Sequence, residues 1–142
     1  MYSRILGLDI GTKTVGVAVS DLLGMTAQPV ETIKIDSEAG DLGFVRLAEL
    51  IKEYKPAKLV LGLPKHMNGD EGIRAEASRE FGSKLTVEFG LEVVYQDERL
   101  TTAQAEKVLI DGGVRRKNRK KSIDKLAAVL ILQNYLDSHK LF

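Results

Sequence analysis

The order of the apolar segments predicts an α/β fold built on a five-stranded mixed sheet. Three strand-like segments come first with no helical pattern between them, and two more then alternate with helical segments. Strands joined by short turns pair antiparallel, whereas strands separated by a helix usually pair in parallel. We therefore expect a three-strand antiparallel meander, two parallel strands and helices on both faces, within one domain over residues 1–142.

The predicted strands are marked by apolar runs and by the turn residues between them. Residues 4–10 and 14–20 are nearly continuous apolar runs joined by a Gly/Thr turn. Residues 29–35 alternate polar and apolar side chains, as a half-buried or edge strand does. Residues 58–64 are apolar enough to be buried on both faces, and residues 92–98 end in two acids.

Four helices are predicted, over residues 41–54, 72–89, 101–110 and 123–137. The first carries an apolar stripe close to the 3.6-residue period, the second is polar, and the last is apolar nearly all round. Thr101 and Gln104 have the spacing of a capping box, which marks the start of the third helix. Ser122 is a natural N-cap, so we expect the fourth helix to begin there.

The composition is that of a globular protein and restricts the metal sites that are possible. Hydrophobic residues make up 44% and charged residues 29% of the chain. The absence of cysteine excludes disulfides and thiolate metal sites, and two histidines are too few for an imidazole-rich zinc site. A metal ion would have to be a hard cation on carboxylates, Mg²⁺ or Mn²⁺. No apolar run reaches membrane-spanning length, so we expect a cytoplasmic protein with no membrane partner.

The net charge of +1 is unevenly distributed along the chain. Residues 1–110 carry 13 Lys and Arg against 17 Asp and Glu, whereas residues 111–142 carry 8 against 3. Most of the excess lies in residues 115–121, which contain no acid. Such a block repels itself and attracts polyanions, so it is interpreted as a mobile loop that contacts nucleic acid or phosphate. The alternative is a solvated run of charge.

Acidic residues stand where the predicted topology would bring them together. Asp9 ends the first strand, Asp97 and Glu98 end the fifth, and Asp124 lies in the first turn of the last helix. The carboxyl ends of parallel strands line one crevice, where ligands bind in open α/β sheets. Converging carboxylates repel one another unless a divalent cation lies between them. The pattern therefore indicates a metal site of the kind that promotes phosphoryl displacement.

Each acid also has a purely structural interpretation. Asp9 would cap its turn through backbone N–H groups, and Asp124 would complement a helix N-terminus. Asp97 and Glu98 point to opposite faces of a strand, so only one need enter the site, and Arg99 would neutralise the other.

The segment GLPKHMNGDEG follows the fourth predicted strand. Lys65 and Asn68 are expected to touch substrate phosphates, and the alternative is a plain strand-to-helix connection. His66 is interpreted as a surface loop residue rather than a general base.

Four segments in order, GLDIGTKTVGVAVSD, LVLGLPKHMNGDEG, QDERLTTAQAE and SIDKLAAVLILQNYLD, together resemble the YqgF (RuvX) family. The resemblance covers nearly the whole chain. It implies a ribonuclease-H-like fold related to the RuvC Holliday-junction resolvase, and a divalent-metal-dependent nuclease that processes pre-16S rRNA in the cytoplasm. By motif, the family's acidic site falls on Asp9, Glu98 and Asp124, and Lys13 occupies a position where the family commonly has a basic residue.

The chain departs from the related RuvC resolvases at one position of this site. Those proteins carry a fourth acid on the final helix, about one turn after the third. Ala127 and Ala128 occupy that region here, so the resemblance leaves open whether one metal ion or two is held.

We therefore expect hydrolysis of phosphodiester bonds in structured RNA, with Mg²⁺ or Mn²⁺ held by Asp9, Glu98 and Asp124. The partners would be RNA or DNA junctions and ribosomal precursor particles, bound by a monomer or weak homodimer. The residues expected to bind substrate are Lys13, Lys65, Asn68, Arg99, Arg115, Arg116, Lys117 and Arg119.

Other functions fit parts of the pattern. A Holliday-junction-type DNA resolvase would use the same acids, and a non-catalytic ribosome-assembly or transcription factor would use the basic segment alone. An ATPase or sugar kinase of the actin–hexokinase type opens with a similar strand-turn-strand, but it needs two such domains. The sequence leaves exonuclease and endonuclease action equally open.

Overall fold

The computed structural model describes residues 3–64, 72–98, 113 and 116–139, with side chains in the last segment from residue 126 onward. The strands in these residues are β1 (Ile5–Ile10), β2 (Thr14–Ser20), β3 (Ala27–Lys34), β4 (Lys58–Leu63) and β5 (Glu92–Asp97). The helices are α1 (Phe44–Tyr54), α2 (Ile73–Phe89) and α3 (Arg116–Ser138).

Within the described part of the chain the strands form one sheet, in the order β3-β2-β1-β4-β5. β2 pairs antiparallel with both β1 and β3. β4 pairs in parallel with both β1 and β5. This is the predicted meander followed by two parallel strands, so the predicted fold class is confirmed. The C-terminal ends of β1, β4 and β5 consequently meet at one edge of the sheet, which we call the C-terminal edge.

Alternate residues of β1 face two separate hydrophobic clusters. Leu6, Leu8 and Ile10 belong to a cluster that includes side chains from α1 and α2. Ile5 packs against a second cluster, to which α3 contributes most of the side chains. The sheet is therefore a middle layer, with α1 and α2 on one face and α3 on the other.

α3 lies close against β1 and runs antiparallel to it. A Cβ at Gly7 would lie 2.7 Å from Cβ of Leu132 and 3.3 Å from the carbonyl oxygen of Ala128. At the start of β4, beside the start of β1, Lys58 Nζ donates a hydrogen bond to the hydroxyl of Tyr135 at 3.2 Å. Because Tyr135 lies at the beginning of these strands and Ala128 near the middle of β1, the N-terminal turns of α3 lie toward the C-terminal edge.

The prediction of the start of α3 was wrong. The helix begins at Arg116, so residues 116–121 are helical rather than a mobile loop, and Ser122 lies inside the helix instead of at its N-cap. Arg and Lys are good helix formers. Repulsion between like charges one turn apart costs only about 0.2–0.5 kcal/mol per pair. Extending a helix whose later turns are already packed on the sheet outweighs this cost.

The other predicted boundaries within the described residues agree to within three residues. α1 begins at Phe44 rather than at 41, because Gly43 before it adopts a φ of 74°, a conformation that glycine takes at little cost. The helix predicted over 101–110 lies outside the described residues. No helix of the described part of the chain is long and apolar enough to cross a membrane.

Candidate active site

Asp9 is a partly buried acid near the C-terminal end of β1. Because Leu8 and Ile10 belong to the cluster with α1 and α2, strand alternation turns Asp9 toward the face that α3 covers. Gly7 contacts α3 on this same face, and Asp9 follows it by about 7 Å along the strand. Asp9 therefore lies toward the N-terminal turns of α3, at the C-terminal edge of the sheet.

The carboxylate of Glu98 lies over Gly62 of β4. A Cβ at Gly62 would lie 2.5 Å from Oε2 of Glu98 and 2.5 Å from Cδ1 of Ile131. Any side chain at this position would displace the acid or push against α3. β1 and β4 pair in register up to the preceding residue, so Gly62 lies beside Asp9. The missing side chain thus makes room for a second acid next to the first.

The charge of Asp9 acts on the carboxyl group of Glu98. Burial, and next the charge of Asp9, raise the pKa of Glu98 to about 8. The guanidinium of Arg74 lowers this pKa, and Asp97 raises it by a smaller amount. Without a cation, the Glu98 carboxyl therefore keeps its proton at pH 7. A divalent cation between the two side chains would favour the ionised form of both.

The structure distinguishes between Asp97 and Glu98, which the strand pattern left open and for which only the family resemblance indicated Glu98. Val93 and Tyr95 of β5 pack in the cluster with α1 and α2, so strand alternation directs Asp97 to that face. Val94 packs in the cluster with α3, and Glu98 lies on this second face with Asp9. Glu98 therefore joins Asp9, whereas Asp97 ends the strand on the opposite face.

Asp124 lies in α3, and its side chain is outside the described residues. Its position in the helix is one turn before Ala128, whose carbonyl lies over Gly7. Since α3 runs antiparallel to β1, the turn that carries Asp124 lies toward Asp9. The fold brings the backbone of all three predicted acids to the C-terminal edge.

The donor set at this edge suits a hard divalent cation. Carboxylate oxygens are the ligands that Mg²⁺ and Mn²⁺ prefer. Among the described residues, no group of three Asp, Glu, His or Cys side chains forms a metal-binding cluster. The described donors are the pair Asp9 and Glu98, and the third predicted ligand has an undescribed side chain.

Comparison with known proteins identifies the family. A family model for RuvX, described as "Holliday junction resolvase", matches residues 3–138. The chain belongs to the RuvX family. A Lactococcus lactis subsp. cremoris protein named "Putative pre-16S rRNA nuclease" is 86% identical over 141 residues, covering 99% of each chain. A Streptococcus agalactiae protein of the same name is 64% identical over 135 residues, covering 94% of this chain and 97% of its own.

Solved structures share the fold of this RuvX-family chain. Thermus thermophilus RuvC in complex with a Holliday junction substrate superposes with a TM-score of 0.60 at 16% identity, over 96% of this chain and 95% of that one. The fowlpox virus resolvase, in complex with substrate Holliday junction DNA, gives a TM-score of 0.57 at 18% identity, over 95% and 97%. These similarities establish a RuvC-like, ribonuclease-H-like fold.

The structure places the residues that were predicted to bind substrate in different parts of the chain, and it describes only some of them. Lys13 is exposed in the turn between β1 and β2, at the same edge as Asp9 and Glu98. Arg116, Lys117 and Arg119 lie in the first turns of α3, and their side chains are not among those described. The predictions for Lys65, Asn68, Arg99 and Arg115 fall outside the described residues.

Arg74 is a component of this site that was not predicted from the sequence. Its Nη2 donates a hydrogen bond to the carbonyl oxygen of Ile10 at 2.9 Å, and its charge acts on Glu98. It lies in the first turn of α2, where the helix dipole disfavours a cation. A basic residue at such a position, directly after a Gly-rich segment, is the sequence feature that could have indicated its role in the site.

The raised pKa of Glu98 predicts how stability depends on pH in metal-free protein. Unfolded Glu98 loses its proton near its ordinary value of 4.5, whereas the folded protein keeps it up to about pH 8. The free energy of unfolding should therefore fall as pH rises through this window. Glu98→Gln should flatten that fall and stabilise the protein at pH 8 by at most roughly 4 kcal/mol, since the pKa rises from 4.5 to about 8 and one pKa unit corresponds to about 1.4 kcal/mol.

Urea denaturation in EDTA between pH 5 and pH 8 measures this dependence. Glu53→Gln, at an exposed position of α1, is the matched control and should keep the wild-type slope. An identical slope in the Glu98→Gln variant would contradict the assignment of the proton to Glu98.

Proposed function

We propose that this protein is a divalent-metal-dependent nuclease that hydrolyses phosphodiester bonds at the 5′ end of pre-16S rRNA. The observation that carries the proposal is the carboxylate of Glu98 in the space over Gly62, beside Asp9. Two carboxylates held this close at a sheet edge are costly unless they bind a cation. Membership of the RuvX family and the names of the similar relatives support the type of reaction.

Asp9, Glu98 and Asp124 are the residues that would hold Mg²⁺ or Mn²⁺. When bound, the ion supplies positive charge that stabilises the charge developing on the phosphate and lowers the pKa of water. The protein contributes the fixed positions of the acids: the register of β1 on β4 positions Asp9, and Gly62 with Ile131 confines Glu98. Preorganised groups of this kind need no rearrangement during the reaction.

Basic residues around the acids would hold the nucleic-acid backbone. Lys13 is exposed at the C-terminal edge, and the N-terminal turns of α3 begin with a basic sequence toward the same edge. Arg116, Lys117 and Arg119 belong to this sequence, Arg115 precedes them in the chain, and Lys65, Asn68 and Arg99 complete the proposed contacts. Contacts to phosphates position a substrate without reading its sequence.

The substrate class follows from the relatives and not from the geometry. Proteins 86% and 64% identical carry the name of a pre-16S rRNA nuclease, which favours a ribosomal RNA precursor, alone or within a precursor particle. Such an RNA is made in the cytoplasm of bacteria, where we therefore propose that the protein acts. The family description "Holliday junction resolvase" supports a DNA junction as the second candidate.

The role of the acids is tested by substitution of Asp9. Asp9→Asn keeps the shape of the side chain and removes one charge from the proposed metal site. Cleavage of a labelled pre-16S RNA fragment in Mg²⁺ should fall by roughly a hundredfold or more, because the ion loses a direct ligand. A four-way DNA junction in parallel reactions separates the two substrate candidates.

Glu53→Gln is the charge-matched control for this experiment and should cleave like the wild type. Circular dichroism of each variant checks folding. Cleavage by a folded Asp9→Asn variant at the wild-type rate would refute the proposed site.

The basic start of α3 generates a second prediction. Changing Arg115, Arg116, Lys117 and Arg119 to Ala should weaken binding to all RNA sequences alike. The slope of log K against log salt concentration should become shallower by about 0.7–0.9 for each phosphate that the variant no longer neutralises. The control is Lys34→Ala with Lys52→Ala, at exposed positions distant in sequence, which removes two positive charges elsewhere and should leave the salt slope unchanged. A salt slope unchanged from the wild type would exclude this helix start from the interface.

A further inference from the structure

A pocket lies next to the candidate active site, on the opposite face of β1. It encloses about 160 Å³ between the turn that follows β1, the segment after β3 and the first half of α2. Its apolar surface includes Ile10, Leu42 and Phe81, and charged side chains from α2 line its rim: Arg74, Glu80 and Lys84. Nothing in the metal chemistry described above uses this space.

Hydrogen bonds hold the walls of this pocket in place. The N–H of Ile35 donates to the carbonyl oxygen of Lys13 at 2.9 Å, and Ser37 Oγ donates to that of Thr12 at 3.1 Å. These bonds join the segment after β3 to the turn between β1 and β2. Within that turn, the N–H of Gly11 donates to the carbonyl oxygen of Thr14 at 2.8 Å. The pocket is therefore preformed, which lowers the entropic cost of binding.

The pocket and the acidic pair lie near each other at the C-terminal edge, on opposite faces of β1. Ile10 and Gly11, which line the pocket, are the two residues after Asp9, and two strand residues span about 7 Å. Arg74 connects the two regions, because it donates to the carbonyl oxygen of Ile10 at 2.9 Å and its charge acts on Glu98. A nucleic-acid strand with a phosphate at the acids would thus have its neighbouring nucleotide within reach of the pocket.

The chemistry of the lining matches one nucleotide. A flat heterocycle would lie against the apolar wall of the pocket, where Leu42 is partly exposed and Ile10 and Phe81 are nearly buried. The cations Arg74 and Lys84 would face the phosphate, and the carboxylate of Glu80 is an acceptor for an amino group of the base. The volume corresponds to about five water molecules, which is well below a drug-sized site and admits no base pair.

We propose that this pocket receives one unpaired nucleotide of the substrate, next to the phosphate at the acidic pair. The proposal rests on the proposed function, because it takes nucleic acid as the ligand. It adds a specificity: an unpaired nucleotide beside the cleavage position is bound in a site of its own, on the α2 side of β1. A fully paired strand does not bind in this pocket.

Binding in EDTA tests the pocket independently of cleavage. The probes are a single-stranded RNA tetranucleotide, a blunt RNA duplex and 5′-AMP, each titrated into the wild-type chain and followed by ¹⁵N NMR. The tetranucleotide should shift the amide resonances of Gly11, Ser37 and Ala77, and these shifts should saturate during the titration. The duplex should leave the same resonances unchanged. Shifts by 5′-AMP at an affinity equal to that of the tetranucleotide would overturn the proposal, since the pocket would then serve a free nucleotide.

Ala77→Leu is the decisive variant, because residue 77 is a partly buried helical position that lines the pocket and Leu is a good helix former. Filling the space should weaken tetranucleotide binding by about tenfold, the cost of losing one stacked base. Duplex affinity should stay within twofold of wild type. Ser83→Leu, exposed on the same helix outside this pocket, is the control and should bind both RNAs normally.

Wild-type affinity of a folded Ala77→Leu variant for the tetranucleotide would refute the pocket. Arg74→Gln gives a second reading that does not depend on filling the space. This variant should lose more affinity for the tetranucleotide than for the duplex. Equal losses of affinity for both RNAs would count against the proposal. Failure of the nuclease proposal has a different signature, normal pocket binding with no cleavage in Mg²⁺ or Mn²⁺.

Discussion

The proximity of two carboxylates, those of Asp9 and Glu98, is the constraint on which the rest of this site depends. Burial and mutual repulsion make the pair unfavourable, and both raise the pKa of Glu98. The fold nevertheless holds the two carboxylates next to each other, because β4 carries no side chain at Gly62 and Ile131 of α3 closes the same space. Strongly shifted pKa values from burial and a specific charged partner are typical of functional sites.

The orientation of α3 determines which residues lie around this site. Gly7 allows the helix to pack closely on β1, and the contact of Lys58 with Tyr135 fixes the direction of the helix over the sheet. Its N-terminal turns, with the basic sequence of residues 116–121, are consequently brought toward the edge where the acids lie. A polyanion is attracted to such an edge, and the acids would bind a cation rather than the phosphate itself.

Much of the fold was predictable because its signals are local. The apolar runs of β1, β2 and β4 and the turn residues between them predicted strand boundaries and topology, and the sheet order confirms both. The start of α3 was predicted wrongly, since a dense charge run was interpreted as a loop, although Arg and Lys favour helices.

The candidate site was only partly predictable from the sequence, because its decisive features depend on tertiary contacts. The family motif indicated Glu98, but the physical reason for choosing Glu98 over Asp97 is which face of the sheet α3 covers, and strand alternation alone does not contain that information. Arg74 enters through a hydrogen bond to Ile10, a residue 64 positions away in the chain. The pocket on the α2 side likewise forms only when three separate segments meet.

The most direct test of the central claim is calorimetric titration of Mn²⁺ into the wild-type protein at pH 7, in buffers of different ionisation enthalpy. Binding should release close to one proton per ion, because Glu98 must give up its proton when the cation binds between it and Asp9. Both the binding and the proton release should be lost in a Glu98→Gln variant. Mn²⁺ binding with no proton release, or binding unchanged in that variant, would contradict a cation shared by these two carboxylates.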